Sequence, residues 1–192
     1  MNTRRPAGMF RKRSIQVIVT EGLSEEIYLD RIRSKVGSIP IHTVNAGGGD
    51  LKRLKKECVK ALSERERWDM IAVVADVDVK SEEEMIEFDA WCTENGIDLF
   101  VSNPSFEVFL LMHFQDVKGR MSQDDMEDAL SRHLGRRYDK AKGIRIDEDM
   151  VRTAMGRADI SISGKDDITT ISSTPGTTNF QKLLTKISEQ LR

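Results

Sequence analysis

The sequence predicts an α/β fold built on a mainly parallel sheet of about four strands, and three observations carry that reading. Residues 15–20 and 71–75 are short, apolar, β-branched runs bounded by turn residues, the pattern of strands covered on both faces. Segments with helical spacing separate such runs, as right-handed crossovers between parallel strands require. Each of the two runs also delivers acids at its carboxyl end: Glu21-Gly22 after the first, Asp76-Val77-Asp78 after the second.

The elements follow in order. Ser24 reads as a helix cap, with Glu25 and Glu26 in the first turn, an apolar face of Ile27, Tyr28, Ile32 and Val36, and Gly37 as the stop. Residues 40–44 predict a second strand, closed by Gly47-Gly48-Gly49. Leu51, Leu54, Cys58 and Leu62 mark a helix with a basic outer face. After the Asp78 strand, Ser81 and Glu84 form a capping box, and Met85, Phe88 and Cys92 continue at helical spacing to Gly96. Residues 97–101 predict the fourth strand. Asn103-Pro104 then reads as cap and first-turn proline of a helix over 106–114. From Gln115 the pattern weakens: 122–134 and 147–158 read as helices, 159–179 as a Ser/Thr/Gly/Asp-rich loop, and 180–191 as an amphipathic helix.

Composition narrows the function. A chain of 192 residues, 39% of them hydrophobic, suits one domain or one with a small appendage. No apolar stretch approaches the length that spans a bilayer, and the basic start (Arg4, Arg5, Arg11, Lys12, Arg13) has no signal-type hydrophobic segment behind it. Cys58 and Cys92 both fall on predicted helices, which suggests no disulfide framework and a reducing, cytoplasmic setting. The net charge of −2 means that any grip on nucleic acid must come from local patches. Aromatic residues, at 6%, argue against a stacking platform for single strands.

Residues outside the carboxyl ends of parallel strands share one edge of the sheet, so Glu21, Asp76 and Asp78 are expected to meet there. Clustered carboxylates repel unless a cation sits among them, and a hard divalent ion with oxygen ligands is the natural guest. Each motif alone has a plainer reading. Glu21 can be a turn acid, Asp78 a cap, Glu25 and Glu26 partners of a helix dipole, and Glu107 a first-turn acid. His113, among Leu110, Leu111, Met112 and Phe114, reads equally as a buried structural histidine or a catalytic one. The triple glycine lacks the following lysine-serine of a phosphate loop. Basic groups for a polyanion are offered by Arg11, Lys12 and Arg13, by Lys52, Arg53, Lys55 and Lys56, and by Arg136, Arg137, Lys140 and Lys142 around Tyr138, with Lys140 expected nearest the scissile group.

Three stretches taken together resemble the RloB-like family of phage-defence proteins, itself similar to the Toprim superfamily: Val-Ile-Val-Thr-Glu-Gly-Leu-Ser-Glu-Glu-Ile-Tyr, Val-Val-Ala-Asp-Val-Asp, and Ser-Asn-Pro-Ser-Phe-Glu-Val-Phe-Leu-Leu-Met-His-Phe. The resemblance covers residues 14–114 well. Tyr138-Asp139-Lys140 and Thr174-Pro175-Gly176-Thr177 resemble weaker family features. Glu21 and Glu25 match the glutamates of the first motif, Asp76 and Asp78 the paired aspartates, and Glu107 and His113 the last motif. Leu23 stands where the family has an acid, and Ser24 where it has threonine. The resemblance implies a Toprim-like (Rossmann-like) core over 14–114, a basic tail over 1–13 and a mainly helical extension over 115–192 packed on the core. It also implies a nuclease of an abortive-infection system that hydrolyses DNA or RNA and works beside an ABC-like ATPase. In that reading Mg²⁺, or Mn²⁺ in its place, is held by Glu21, Asp76 and Asp78, with a second ion on Glu25 and Glu107. A homo-oligomer stays open.

Two other readings have different consequences. A regulatory or sensor subunit would keep the acids without turnover. A haloacid-dehalogenase-type phosphatase would use Asp76 and Asp78 as its nucleophile loop with Lys165, Asp166 and Asp167 downstream, although that motif belongs on a first strand and here lies on the third.

Overall fold

The computed structural model describes residues 15–36, 40–48, 50–163, 165 and 167–189. The elements run β1 (Gln16–Thr20), α1 (Leu23–Val36), β2 (Ile41–Asn45), α2 (Leu51–Ser63), β3 (Met70–Asp76), α3 (Glu82–Glu94), β4 (Asp98–Asn103), α4 (Glu107–Leu111), α5 (Gln123–Leu134), α6 (Glu148–Ile162), α7 (Ile168–Ser173), β5 (Thr177–Thr178) and α8 (Phe180–Glu189). They form one five-stranded sheet in the order β2-β1-β3-β4-β5. The first four strands are parallel and β5 is antiparallel to β4. The expected α/β class and parallel core are therefore present in a Rossmann-like arrangement.

Alternation along the strands divides the core into two layers. Ile18, Ala72, Val74 and Phe100 face one side, where they join Tyr28 and Leu29 of α1, Phe109 of α4, Met126 and Leu130 of α5, and Phe180 and Leu183 of α8. Val17, Val19, Ile71, Val73, Ala75 and Val101 face the other, against Leu54 and Cys58 of α2, Met85 and Phe88 of α3, and Ile171 of α7. Register then positions the site. Thr20, the last residue of β1, pairs with Val74, and β3 runs two residues further, so Asp76 stands beside the Glu21 turn.

Several local expectations need correction. Ser24 lies inside α1 rather than capping it, and its hydroxyl donates to Glu107 Oε1 instead (2.9 Å). Asn103 belongs to β4 and does not cap a helix: its side-chain amide donates to the carbonyls of Ile171 and Ser172, both at 2.8 Å. The helix expected over 106–114 is shorter, and α4 begins at Glu107. The stretch read as a loop holds the end of α6, all of α7 and the fifth strand. Its strand is very short, and side chains complete it. The Asn179 N–H donates to Val101 O, its Oδ1 accepts from Val101 N–H (2.7 Å), and the Ser102 and Thr178 hydroxyls pair at 2.8 Å. Short polar side chains that imitate a ladder carry no hydrophobic periodicity, which is the primary strand signal a sequence offers. The basic tail over 1–13, Gly37, Gly49 and Asp166 lie outside the described residues.

The C-terminal part packs on the sheet through Phe180, which is fully buried and meets the rings of Phe106 (4.8 Å between centroids) and Phe109 (4.9 Å). Among the described residues no helix is long and apolar enough to cross a membrane. Phe180→Ala should cost about 3–5 kcal/mol, because a cavity would open where three aromatic rings meet. Urea unfolding of the full chain measures it, and a loss under 1 kcal/mol would show that α8 is not docked as described.

Candidate functional site at the carboxyl edge of the sheet

With strand order 2-1-3-4, β2 is added on one side of β1 and β3 on the other, so the strand order reverses between the parallel neighbours β1 and β3, and that switch point is where open α/β sheets carry their sites. Glu21 leaves β1 and Asp76 ends β3 at this point, and the two are joined directly: the Asp76 backbone N–H donates to Glu21 Oε2 at 2.9 Å. Glu25, in the first turn of α1, is 2% exposed, and Glu107, at the start of α4, is also 2% exposed. Four carboxyl groups from four elements thus gather at one edge.

Their partners differ sharply. Glu21 is matched by Lys80, whose ammonium lies 3.0 Å from Oε1 and 3.1 Å from Oε2 and donates to the Asp76 carbonyl at 2.8 Å. Glu107 is saturated. Its Oε1 accepts from Ser24 Oγ (2.9 Å) and Tyr138 OH (3.3 Å), its Oε2 accepts from Ser105 Oγ (2.8 Å), and Lys140 Nζ approaches Oε1 to 3.4 Å. By contrast, Glu25 Oε1 and Asp76 Oδ1 are buried and have no hydrogen-bond partner. A buried, unpaired carboxyl oxygen is costly unless the group is protonated or a cation takes the lone pair.

The proton affinities follow. Burial pushes Glu25 up to about 7, and the neighbouring charges of Glu107 and Glu21 add to the effect. Asp76 is raised well above the carboxylate range by burial, then by Glu25, Glu21 and Glu107, with Lys80 opposing. Burial alone would raise Glu107 too, but Lys140 and the hydroxyls of Ser105 and Ser24 outweigh it and hold the group below its usual value.

Two expected members stand apart. Asp78 is exposed on the turn after β3, in a left-handed conformation (φ 38°), with its backbone N–H on the Pro104 carbonyl. The strand does not persist past Asp76, so period-two alternation does not bring Asp78 back to the acids. His113 lies in the aromatic core, beside Tyr28 (5.4 Å) and Phe109 (5.3 Å). Its Nδ1 meets the Phe109 carbonyl at 3.1 Å, which fixes the proton there, so Nε2 accepts from Tyr28 OH at 3.0 Å. Both nitrogens are used in packing the core. Among the described residues no three His, Cys, Asp or Glu side chains stand in a ready-made metal-ligating group.

The basic segment after α5 reaches the site through Tyr138 and Lys140. Lys140 also approaches Glu127 (3.9 Å), while Lys142 pairs with Asp139 (3.3 Å) and Arg136 donates to the Gly143 carbonyl (3.0 Å). Arg137 is exposed. Arg31 of α1 donates to the carbonyls of Lys142 and Ile144 and ties this segment down. Lys80, Ser24, Ser105 and Tyr138 were not singled out as site residues from the sequence. The lysine two positions beyond Asp78 was visible to anyone asking which cation answers a buried acid group. The serines were not, because nothing local distinguishes them from caps. Asp167, offered as a phosphatase acid, instead caps α7 by accepting from Thr170 N–H at 2.8 Å.

These features define an α/β protein with an acid-rich, lysine-buttressed site at its switch point. The family model for RloB-like proteins matches residues 16–187, and the chain belongs to that family. No curated protein and no solved structure was found to match it.

Burial lowers His113 to about 4, so its neutral form stabilises the fold. That contribution is complete above pH 6.5, the ordinary value, and is lost as pH falls toward 4; across the interval it amounts to on the order of 3 kcal/mol. Raised acids such as Glu25 act in the opposite sense, so the measurement is a difference. Urea unfolding of the wild type and of His113→Gln between pH 7 and 4 should show the wild type losing its advantage over the variant as pH falls. Parallel curves would mean that His113 is not buried in its neutral form.

Proposed function

We propose that this protein is a Toprim-type, divalent-metal-dependent nuclease that hydrolyses phosphodiester bonds in DNA or RNA, and that it serves anti-phage defence beside an ABC-like ATPase. The observation that carries the reading is the pair of unpartnered buried oxygens, Glu25 Oε1 and Asp76 Oδ1, at the switch point. They fit Mg²⁺ or Mn²⁺ in the donor set that such ions favour: one or two carboxylates, with the remaining positions left to water and substrate phosphate. Bound there, the ion would neutralise the attacked phosphate and lower the pKa of a water.

The chain's own residues supply the rest. Lys140, with its side chain 48% exposed, offers an ammonium to a phosphate oxygen from the open side of the site. Glu107, fixed by Ser24, Ser105 and Tyr138, aims that lysine. Lys80 holds Glu21, which in turn holds the end of β3 through the Asp76 N–H. Arg136, Arg137 and Lys142 extend the positive surface along the path a polyanion would follow. Control by ATP enters through the partner, which should co-purify with the chain when the adjacent reading frame is co-expressed.

The direct test is incubation with plasmid DNA and with total RNA in Mg²⁺ and in Mn²⁺, alongside EDTA. Asp76→Asn should lower cleavage by about 100-fold or more, since it removes a hard ligand without changing shape. The same variant should melt higher than the wild type in EDTA, because one member of a repelling group is gone. Full activity of Asp76→Asn at low Mg²⁺ would refute its role. Ion binding with no cleavage of either nucleic acid would favour the sensor reading.

Neutralising Arg136, Arg137, Lys140 and Lys142 together should weaken nucleic-acid binding and flatten its salt dependence, by about 0.9 in log–log slope for each phosphate that is no longer neutralised. Fluorescence anisotropy across a salt series reads both quantities. An unchanged slope would mean that the polyanion enters elsewhere.

A further inference from the structure

Of the four carboxyl groups at the switch point, two are already spent. Both oxygens of Glu21 are taken, Oε1 by Lys80 and Oε2 by Lys80 and the Asp76 N–H. Both oxygens of Glu107 are taken by Ser24, Tyr138, Lys140 and Ser105. The oxygens without partners belong to Glu25 and Asp76, and Glu25 is the acid that acts most strongly on Asp76. Lys80 is no ordinary surface lysine: its side chain is 5% exposed, and its three contacts, two carboxylate oxygens and one backbone carbonyl, are the kind of donor set a hard cation would take.

Resting on the metal-dependent reading above, we propose that the site takes a single divalent ion, on Glu25 and Asp76, and that the ammonium of Lys80, seated on Glu21, permanently fills the position of a second cation. Charge counting agrees. Glu21, Glu25, Asp76 and Glu107 bring four negative charges when ionised, and Lys80 and Lys140 answer two of them, which leaves the charge of one divalent ion to complete neutrality. Asp78 and Glu127 need no buried counter-charge, because water reaches the first on the exposed turn and the second on the partly exposed face of α5. A fixed ammonium differs from a second ion in one respect that matters: it cannot dissociate, so the positive charge nearest β1 is present at any metal concentration.

The test counts ions rather than turnover. Full-length protein is titrated with Mn²⁺ alone, and the unbound ion is followed by electron paramagnetic resonance. The wild type should bind one Mn²⁺ per chain, Lys80→Arg should also bind one, and Lys80→Met should bind two, because Glu21 is released. Glu25→Gln should weaken the wild-type site about tenfold or more, since it removes one of two charged ligands. Two ions on the wild type, or one ion at unchanged affinity on a folded Lys80→Met, would overturn the proposal. Should Lys80→Met lose its circular dichroism, the wild-type count and the Glu25→Gln titration decide alone. Absence of Mn²⁺ binding to the wild type would instead overturn the metal-dependent function itself.

Discussion

The Lys80–Glu21 contact is the constraint on which the rest of the site depends. A buried ion pair gives little net stability, since desolvation offsets most of the attraction, but removing one partner typically costs about 3–5 kcal/mol. Here the pair also carries mechanical information. Glu21 accepts the Asp76 N–H and Lys80 donates to the Asp76 carbonyl, so both polar groups of the residue that ends β3 are held by one charged couple. Without it, the end of β3 would have to turn those groups toward water, and Asp76 would leave the group of acids.

That couple can exist only because the sheet delivers its parts in register. Parallel pairing of Thr20 with Val74 sets β3 two residues ahead of β1 and places Asp76 beside the glutamate that follows β1. Glu25 and Glu107 arrive by another route, on helices whose apolar faces pack on the same side of the sheet: Leu29 of α1 and Phe109 of α4 lie in one core layer with Val74 and Phe100. The aromatic group of Tyr28, Phe106, Phe109 and Phe180 therefore does more than fill space. It fixes the distance between two helices whose first turns carry acids, and packing of this density resists the small displacements that would let the acids separate. His113 belongs to this support, through Tyr28.

The parallel core was legible because its strands are runs of Val, Ile and Ala bounded by turn residues, and because helices such as α2 and α3 carry periodicity, with a capping box at the start of α3. Glu21 and Asp76 were legible as candidates for a related reason, because acids follow two buried strands at their carboxyl ends, whereas Glu25 and Glu107 read equally as ordinary first-turn acids and were picked out by the resemblance to the family's motifs. What escaped was decided by tertiary partners. Ser24 and Asn103 have the chemistry of helix caps, and the sequence cannot reveal that Glu107 and the α7 carbonyls compete for them more effectively. Asp78 looked equivalent to Asp76 because spacing was the only available guide; one positive φ at the strand end separates them. The fifth strand depends on Asn179 imitating a backbone, and no period records that.

The two lysines of the site divide the work by burial. Lys80 is almost wholly enclosed, its three donors have three acceptors, and it answers the charge of an acid that is itself almost wholly buried. Lys140 has half its side chain in solvent and shares its charge between Glu107 and Glu127 at 3.4 and 3.9 Å, distances from which it can turn outward. Under the proposed function, a phosphate that drew Lys140 away would cost Glu107 its cation but leave Ser24, Ser105 and Tyr138 in place, so the carboxylate would stay satisfied and the local structure would have no reason to change. Three neutral hydroxyl donors on one glutamate would be excessive for a static ion pair. They are what a site needs if its outer lysine is to be lent to a substrate without the inner acids rearranging.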